Sequence, residues 1–542
     1  MESLAPAYWQ DCASQPLPEA TIGDALRTAA ARWPSRTALI DGGEGDNPRK
    51  WTFASLLESS EKVARGLLQL FRPGEHIAIW AANCPEWICV EFGAALAGLT
   101  LVTVNPAYRA SEVEYVLRQS RAAGVIVMPE YRDRDLLQVV EEVRPGLEEL
   151  REVLSLGGWE ALLASGDAQT ALPSVTPGDI AQIQYTSGTT GFPKGALLTH
   201  RGLTANGRLY AQVIGATEND TWINPMPLFH TAGCGLVTLG ALQTGGAQVL
   251  PPAFEPATIL ELFATHNGSV LLGVPTMLVR LLDEAGKDHR EYPSWRLVSL
   301  GGAPVPPELV RRAQEQFGVG VAVGYGQTEA SPYLTHTVPD DPNPDWASTV
   351  GKPLPHIEVR ICDPSTGEIA PFGTVGEICT RSACVMQGYF DNPDATAEAI
   401  DGEGWLHTGD LGSMNTDGYL RIQGRLKEMI IRGGENIFPR EIEDVLYGHP
   451  AVASVAVFGL PDPLWGEIVA ACVQLRAGNT ASEQELIAFC RDRLSSFKVP
   501  RVWEYVEEFP QTPSGKIQKF ALRDRLLLRE ERGDGAALQS PV

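Results

Sequence analysis

The chain has 542 residues, 44% of them hydrophobic and 20% charged, with a formal net charge of -24. A chain this long exceeds one ordinary domain and buries a core without metal or disulfide staples. Its acidity disfavours a nucleic-acid or anionic-membrane partner, so an anionic ligand must be gripped locally, by backbone N–H groups and a few cations.

The N-terminus, "MESLAPAYWQDC", has acids and no basic region, so no signal peptide is expected. Nine cysteines lie scattered with no C-x-x-C pair. That usage fits reduced thiols and a cytoplasmic location. "FGAALAGLTLVTV" (92–104) is too short to span a bilayer and reads as a buried helix running into a strand. "GVIVM" (124–128), "SVLLGVP" (269–275) and "LVSLGG" (297–302) read as buried parallel strands that end in turn residues. "PPELVRRAQEQF" (306–317) reads as a helix burying Leu309, Val310, Ala313 and Phe317 on one face. Strands alternating with helices give an α/β class: a large N-terminal domain of layered, mostly parallel sheets with flanking helices. After "GRLKEMIIRGGENIFPREIE" (424–443) the pattern changes to a small α+β domain, with strands at 452–459 and 467–475. A helix follows, with Ser482 and Glu485 as its capping box. The expected boundaries are 1–424, a hinge at 425–427, a C-terminal domain at 428–528, and a disordered tail at 529–542.

Four motifs carry chemistry. "YTSGTTGFPKG" (185–195) follows the predicted strand "IAQIQY", at the strand end where open α/β sheets bind ligands. Its consecutive small residues Ser187, Gly188, Thr189, Thr190 and Gly191 offer N–H and hydroxyl donors, and Lys194 adds an ammonium: a phosphate grip, though without Walker A spacing. "VGYGQTEAS" (323–331) reads as a glycine-rich turn. Tyr325 there is either packing or a stacking surface for a base, and Glu329 beside Thr328 could hold Mg2+. "GWLHTGDLG" (404–412) places Asp410 between glycines on a turn, either as an Asx-turn acid or as a partner for a ribose diol. "TPSGKIQK" (512–519) puts Lys516 at a glycine turn, where a lysine is usually just solvated.

In order and wording, these four motifs resemble the adenylate-forming superfamily: acyl-CoA synthetases, luciferases and the adenylation domains of peptide synthetases. The resemblance runs from about residue 20 to 525 and is nearest to acyl-CoA synthetases for medium-chain fatty or aryl acids. It implies two half-reactions. A carboxylate attacks the α-phosphate of Mg-ATP to give an acyl-adenylate and pyrophosphate; the thiol of coenzyme A then displaces AMP. On that reading Thr186 to Lys194 grip the β- and γ-phosphates, and Glu329 is the Mg2+ ligand. Thr328 meets the α-phosphate, Tyr325 with Gly326 stacks on adenine, and Gly301, Gly302 and Ala303 line the base. Asp410, supported by Arg425, holds the ribose, and Lys516 bridges the substrate carboxylate and the α-phosphate. Lys427 is the pivot about which the C-terminal domain rotates between half-reactions, and Gly433 and Gly434 flank the pantetheine channel. His230 in "PLFH" stands beside the substrate carboxylate, for gating or orientation; without the resemblance it reads as a core histidine.

The acyl pocket is expected behind His230, Gly233, Cys234, Gly235, Gly302 and Ser331, with small residues leaving room for bulk. The stretch carries no charge and no aspartate for an ammonium. That argues for a hydrophobic acid, whether aliphatic, aromatic or terpenoid, over an amino acid. Val323, Ile431 and Asn436 depart from plant aryl-ligase patterns. Two acceptors are weighed, coenzyme A and a carrier protein loaded by an acyl-AMP ligase. A homodimer is compatible with this reading and not required by it.

Overall fold

The computed structural model describes residues 5–10, 16–17, 19–43, 48–186, 193–287, 290–339, 341, 343, 345–476, 478–510 and 517–531. The chain divides into two compact units. One comprises Trp9–Val359 and Thr380–His407; the other comprises Met1–Tyr8, Arg360–Cys379 and Thr408–Val542.

The larger unit holds two sheets built mainly of parallel strands. In a six-stranded sheet, Thr100–Val104 pairs in parallel with Ile180–Thr186 and with His76–Trp80. Gly124–Val127 and Glu152–Ser155 continue that sheet, and Lys194–Thr199 closes its other edge antiparallel. In a nine-stranded sheet, Gly320–Gly326, Leu297–Leu300, Val270–Gly273, Thr221–Ile223 and Ala247–Leu250 run parallel side by side. The short apolar runs fit this placement, because a parallel strand covered on both faces has no polar side to alternate with. All four residues of Gly124–Val127, Val270–Gly273 and Leu297–Leu300 are buried.

The helices follow from equally local causes. Pro85–Leu96 starts with proline at its first position and buries every residue except Glu86. It runs through Gly98 into the buried strand Thr100–Val104, as the apolar run at 92–104 suggested. Pro307–Phe317 buries Leu309, Val310 and Ala313, and Gly318 ends it at φ 67°. Each large side chain placed in such a core adds about 2 kcal/mol of transfer free energy.

In the smaller unit, Asp410–Met414 pairs antiparallel with Leu420–Arg425 at one edge of a five-stranded sheet. A second sheet joins Glu435–Ile437, Ile430–Arg432, Gly466–Leu475, Val452–Asp462 and Val502–Tyr505. Helices Pro439–Tyr447 and Glu483–Arg491 contribute Ile442, Leu446, Leu486 and Cys490 to its core. The Ser482 side chain accepts from Glu485 N–H as expected of a cap. The Glu485 carboxylate does not complete the box; it lies 3.5 Å from His449 Nε2. Among the described residues, no helix is long and apolar enough to cross a membrane.

Candidate active site

In the larger unit, three predicted segments follow the C-terminal ends of parallel strands of one sheet, the edge where open α/β sheets take ligands. Gly301–Ala303 follows Leu297–Leu300, Tyr325 to Glu329 ends and follows Gly320–Gly326, and the loop to His230 follows Thr221–Ile223. Thr186 ends the Ile180–Thr186 strand of the other sheet, and Lys194 begins its antiparallel partner, directly opposite Thr186. Ser187, Gly188, Thr189, Thr190 and Gly191 lie outside the described residues.

Tyr325 was expected on a turn. It is instead in the strand Gly320–Gly326, paired with Thr335. Glycines suggested the turn, but Gly326 is required by packing: a Cβ there would lie 1.9 Å from the Pro332 carbonyl oxygen. Gly301 is likewise hemmed in, its Cβ position 2.6 Å from the Tyr333 hydroxyl. Gly302 differs, having φ 75° and no neighbour closer than Val274 at 3.7 Å, so its surroundings are open. Ala303 beside it is exposed. Thr328, Glu329 and Ala330 form one turn of 3-10 helix.

The Glu329 carboxylate accepts from the Tyr389 hydroxyl at 2.8 Å, and the Lys194 ammonium lies 4.9 Å from the centre of the Tyr389 ring. Burial and the Glu329 charge push the Tyr389 phenol above its usual range. Tyr389 did not stand out in the sequence; its partner Glu329 is 60 residues away.

His230 is half-buried. Its Nδ1 accepts from Ala232 N–H at 3.2 Å, which places the proton of a neutral ring on Nε2. The imidazole thus begins the π-helical segment Ala232–Thr238, a rare geometry that often marks functional sites. Two residues missed by sequence reasoning pin the preceding loop. Asn83 donates to the Met226 carbonyl and accepts from Leu228 N–H, and the Thr103 hydroxyl donates to the Phe229 carbonyl.

The expected acyl lining needs correction on one point. Gly233 leaves no room for bulk, because a Cβ there would lie 2.4 Å from the Pro227 carbonyl oxygen. Gly235 has ordinary neighbours, Leu203 at 3.6 Å and the Ser331 carbonyl oxygen at 3.9 Å. Cys234 is buried with its sulfur 3.3 Å from Gln184 Nε2 and 3.5 Å from Gln182 Oε1. Gln182 in turn donates to Glu91 at 2.8 Å, and burial raises that carboxyl well above the usual carboxylate range. A polar layer therefore backs the π-helical segment. Ser331, at φ 72°, is buried and donates to the Cys384 carbonyl at 2.7 Å.

In the smaller unit, Asp410 and Arg425 are direct partners across the antiparallel pair, with Arg425 Nε 3.1 Å from Asp410 Oδ1. Asp410 was expected on a turn, yet it sits inside the nine-residue strand Leu406–Met414. Gly409, at φ 70°, kinks that strand just before it, and its N–H donates to Glu377. Lys427 is exposed on a 3-10 turn that follows Arg425. Gly433 and Gly434, at φ 61° and 90°, form the turn between Ile430–Arg432 and Glu435–Ile437. The Trp465 ring covers Gly433: a Cβ there would lie 2.8 Å from it, and Gly433 N–H donates to the Trp465 carbonyl at 2.7 Å. Lys516 lies outside the described residues. Lys519, which opens the helix Lys519–Glu531, bridges Glu443 at 2.8 Å and Glu428 at 3.1 Å, just past Lys427.

Two family models match: AMP-binding enzyme over residues 26–390, and AMP-binding enzyme C-terminal domain over residues 441–516. Fold and site motifs agree with that match, and the chain belongs to the AMP-binding enzyme family. YngI of Bacillus subtilis (strain 168), named for acyl-CoA synthetase activity, is 38% identical over 94% of this chain and 97% of its own. The mitochondrial medium-chain acyl-CoA ligase ACSF2 of Rattus norvegicus is 35% identical over 96% of this chain and 90% of its own. Among solved structures, the anthranilate CoA ligase AuaEII with anthranoyl-AMP has a TM-score of 0.86 at 28% identity, covering 95% of this chain and 99% of that one. ATP-bound MatB from Rhodopseudomonas palustris has a TM-score of 0.84 at 28% identity, covering 93% and 98%. The chain is an ATP-dependent acyl-CoA ligase that works through an acyl-adenylate, with ATP and coenzyme A as substrates.

Proposed function

We propose that this ligase activates a hydrophobic carboxylic acid of medium length, with its adenylation centre around Lys194, Thr328 and Glu329. The observation that carries the assignment of the centre is the meeting of Lys194 and Glu329 on one tyrosine. It gathers a cation and a carboxylate where a magnesium-bound polyphosphate needs both. One Glu329 oxygen is held by Tyr389, and a single carboxylate oxygen is the donor set that Mg2+ takes when phosphates and waters fill its other positions. The bound Mg2+ would neutralise phosphate charge; the protein's own residues would position the nucleotide.

On this reading Thr186, Ser187, Gly188, Thr189, Thr190, Gly191 and Lys194 grip the terminal phosphates. Tyr325 and Gly326, with Gly301, Gly302 and Ala303, take the base, and Asp410 with Arg425 takes the ribose. His230 has its Nδ1 occupied by Ala232, so it orients a substrate oxygen through Nε2–H and does not act as a base. Lys516 serves the adenylation step, and Gly433 and Gly434 serve the thioester step after rotation about Lys427. A medium-chain acid is favoured by the relatives named for it and by the uncharged Gly235 and Cys234 segment. A cytoplasmic location is supported by the scattered cysteine usage, nine in the sequence with no C-x-x-C pair.

The test is acid-dependent pyrophosphate release from Mg-ATP by Glu329→Gln and Lys194→Ala. Each should lose at least about tenfold, the scale of one charge-assisted contact. Wild-type rates in both would remove these residues from the centre.

A further inference from the structure

Tyr389 belongs to a segment that docks on both halves of the proposed centre. Met386 N–H donates to the Glu329 carbonyl at 2.8 Å, so the segment holds the backbone that carries the carboxylate. Gln387 and Gly388 exchange hydrogen bonds with Leu197 of the strand that begins at Lys194: Gln387 N–H reaches the Leu197 carbonyl, and Leu197 N–H reaches the Gly388 carbonyl, both at 2.9 Å. Phe390 N–H donates to the Gly195 carbonyl at 2.8 Å, and Tyr389 forms a bridge with Ala196. The Tyr389 N–H is itself fixed on the Thr396 hydroxyl at 2.9 Å. A side chain leaving this backbone has little freedom, and it ends on both charged groups.

The ring also separates them. Lys194 lies over its face, Glu329 accepts from its hydroxyl, and among the described residues no ion pair joins the two. Paired directly, a lysine and a glutamate would neutralise each other, and neither would be available to a nucleotide. A ring face attracts the ammonium by about 1 kcal/mol, weakly enough to yield it to a phosphate. The hydroxyl leaves the second oxygen of the carboxylate to another partner.

We propose that Tyr389 is a positioning residue for adenylation. Its hydroxyl orients Glu329 so that one oxygen faces the divalent cation of the bound nucleotide, and its ring holds Lys194 in reserve for the phosphates. This rests on the reading of Glu329 and Lys194 given above.

The experiment uses the full-length enzyme and three variants: Tyr389→Phe, Glu329→Gln and the double variant. Acid-dependent pyrophosphate release is titrated with Mg2+ at fixed ATP, and thioester formation is followed separately from supplied acyl-adenylate. Tyr389→Phe keeps the ring, so it should raise the Mg2+ concentration giving half-maximal release about tenfold, the loss expected of one hydrogen bond to a charge. Its thioester step should be unchanged, and in the Glu329→Gln background it should add no further loss. Losses that multiply in the double variant, or equal losses in both half-reactions, would make Tyr389 a packing residue and overturn the proposal. Wild-type behaviour of Tyr389→Phe beside an impaired Glu329→Gln would overturn the tyrosine's part alone. A wild-type Mg2+ dependence of Glu329→Gln would overturn the metal reading and the proposal together.

Discussion

Asp410 and Arg425 face each other from neighbouring strands, with the carboxylate buried and the guanidinium more exposed. If this carboxylate holds a ribose diol, Asp410→Asn should raise KM for ATP by about tenfold or more, the scale of hydrogen bonds to a charged acceptor. Steady-state pyrophosphate release measures it, and an unchanged KM would assign Asp410 to strand pairing alone. Two buried histidines give a pH prediction. His336 donates from Nδ1 to the Thr337 carbonyl and accepts at Nε2 from Ser299, while His200 accepts from Ile22 N–H; burial lowers both from 6.5 to about 4. The unfolded chain therefore takes up these protons first as pH falls. Stability should decline from pH 6.5 to about 4 and level off below, each histidine contributing up to about 3 kcal/mol. Thermal midpoints across that range should fall, and His336→Gln should flatten the fall; an identical slope would contradict the linkage. Lys194, Glu329 and Asp410 are proposed from the sequence because each sits in a compact motif. Tyr389, Asn83 and Thr103 are not, because each acts on a partner 60, 143 or 126 residues away.

Elements were read well where hydrophobic pattern dominates and less well where glycine does. The apolar runs at 124–128, 269–275 and 297–302 became buried parallel strands, since nothing else buries such a run so cheaply in so few residues. Glycine signals turns in general, and at 433–434 it makes one, joining Ile430–Arg432 to Glu435–Ile437. At Gly326 and Gly409 it instead permits a close backbone approach and a kink within strands, so Tyr325 and Asp410 came out in strands. The Gly433 turn supports a specific test. A branched side chain there meets the Trp465 ring and a left-handed backbone at once, so Gly433→Val should displace the loop. Thioester formation from supplied acyl-adenylate should drop by at least about tenfold, with adenylation largely kept. Lys516→Ala should do the reverse, and equal loss of both half-reactions in both variants would contradict alternation of the C-terminal domain.

At the scale of the whole molecule, alternation of strands and helices announced the α/β class, and parallel strands carry Thr186, Gly301–Ala303 and the Tyr325 to Glu329 segment at their C-terminal ends. Less legible was the company kept by the N-terminus. Ala7 N–H donates to the Ala370 carbonyl, and residues up to Tyr8 belong with the unit that holds Thr408–Val542. Such pairings come from long-range closure, which no local pattern encodes. The chain's charge of -24 makes the local grip necessary: a polyanion meets an acidic protein only where N–H groups and a lysine outweigh the mean field. The proposed activity of this centre is activation of a hydrophobic acid for transfer to coenzyme A. Its most direct test is pyrophosphate release from Mg-ATP across a panel of hydrophobic carboxylic acids, with and without coenzyme A. Release should depend on the acid, be strongest for medium-chain substrates, and be matched by acyl-CoA when the thiol is present. Release that stalls at enzyme-bound acyl-adenylate despite added coenzyme A, or that is indifferent to the acid, would contradict it.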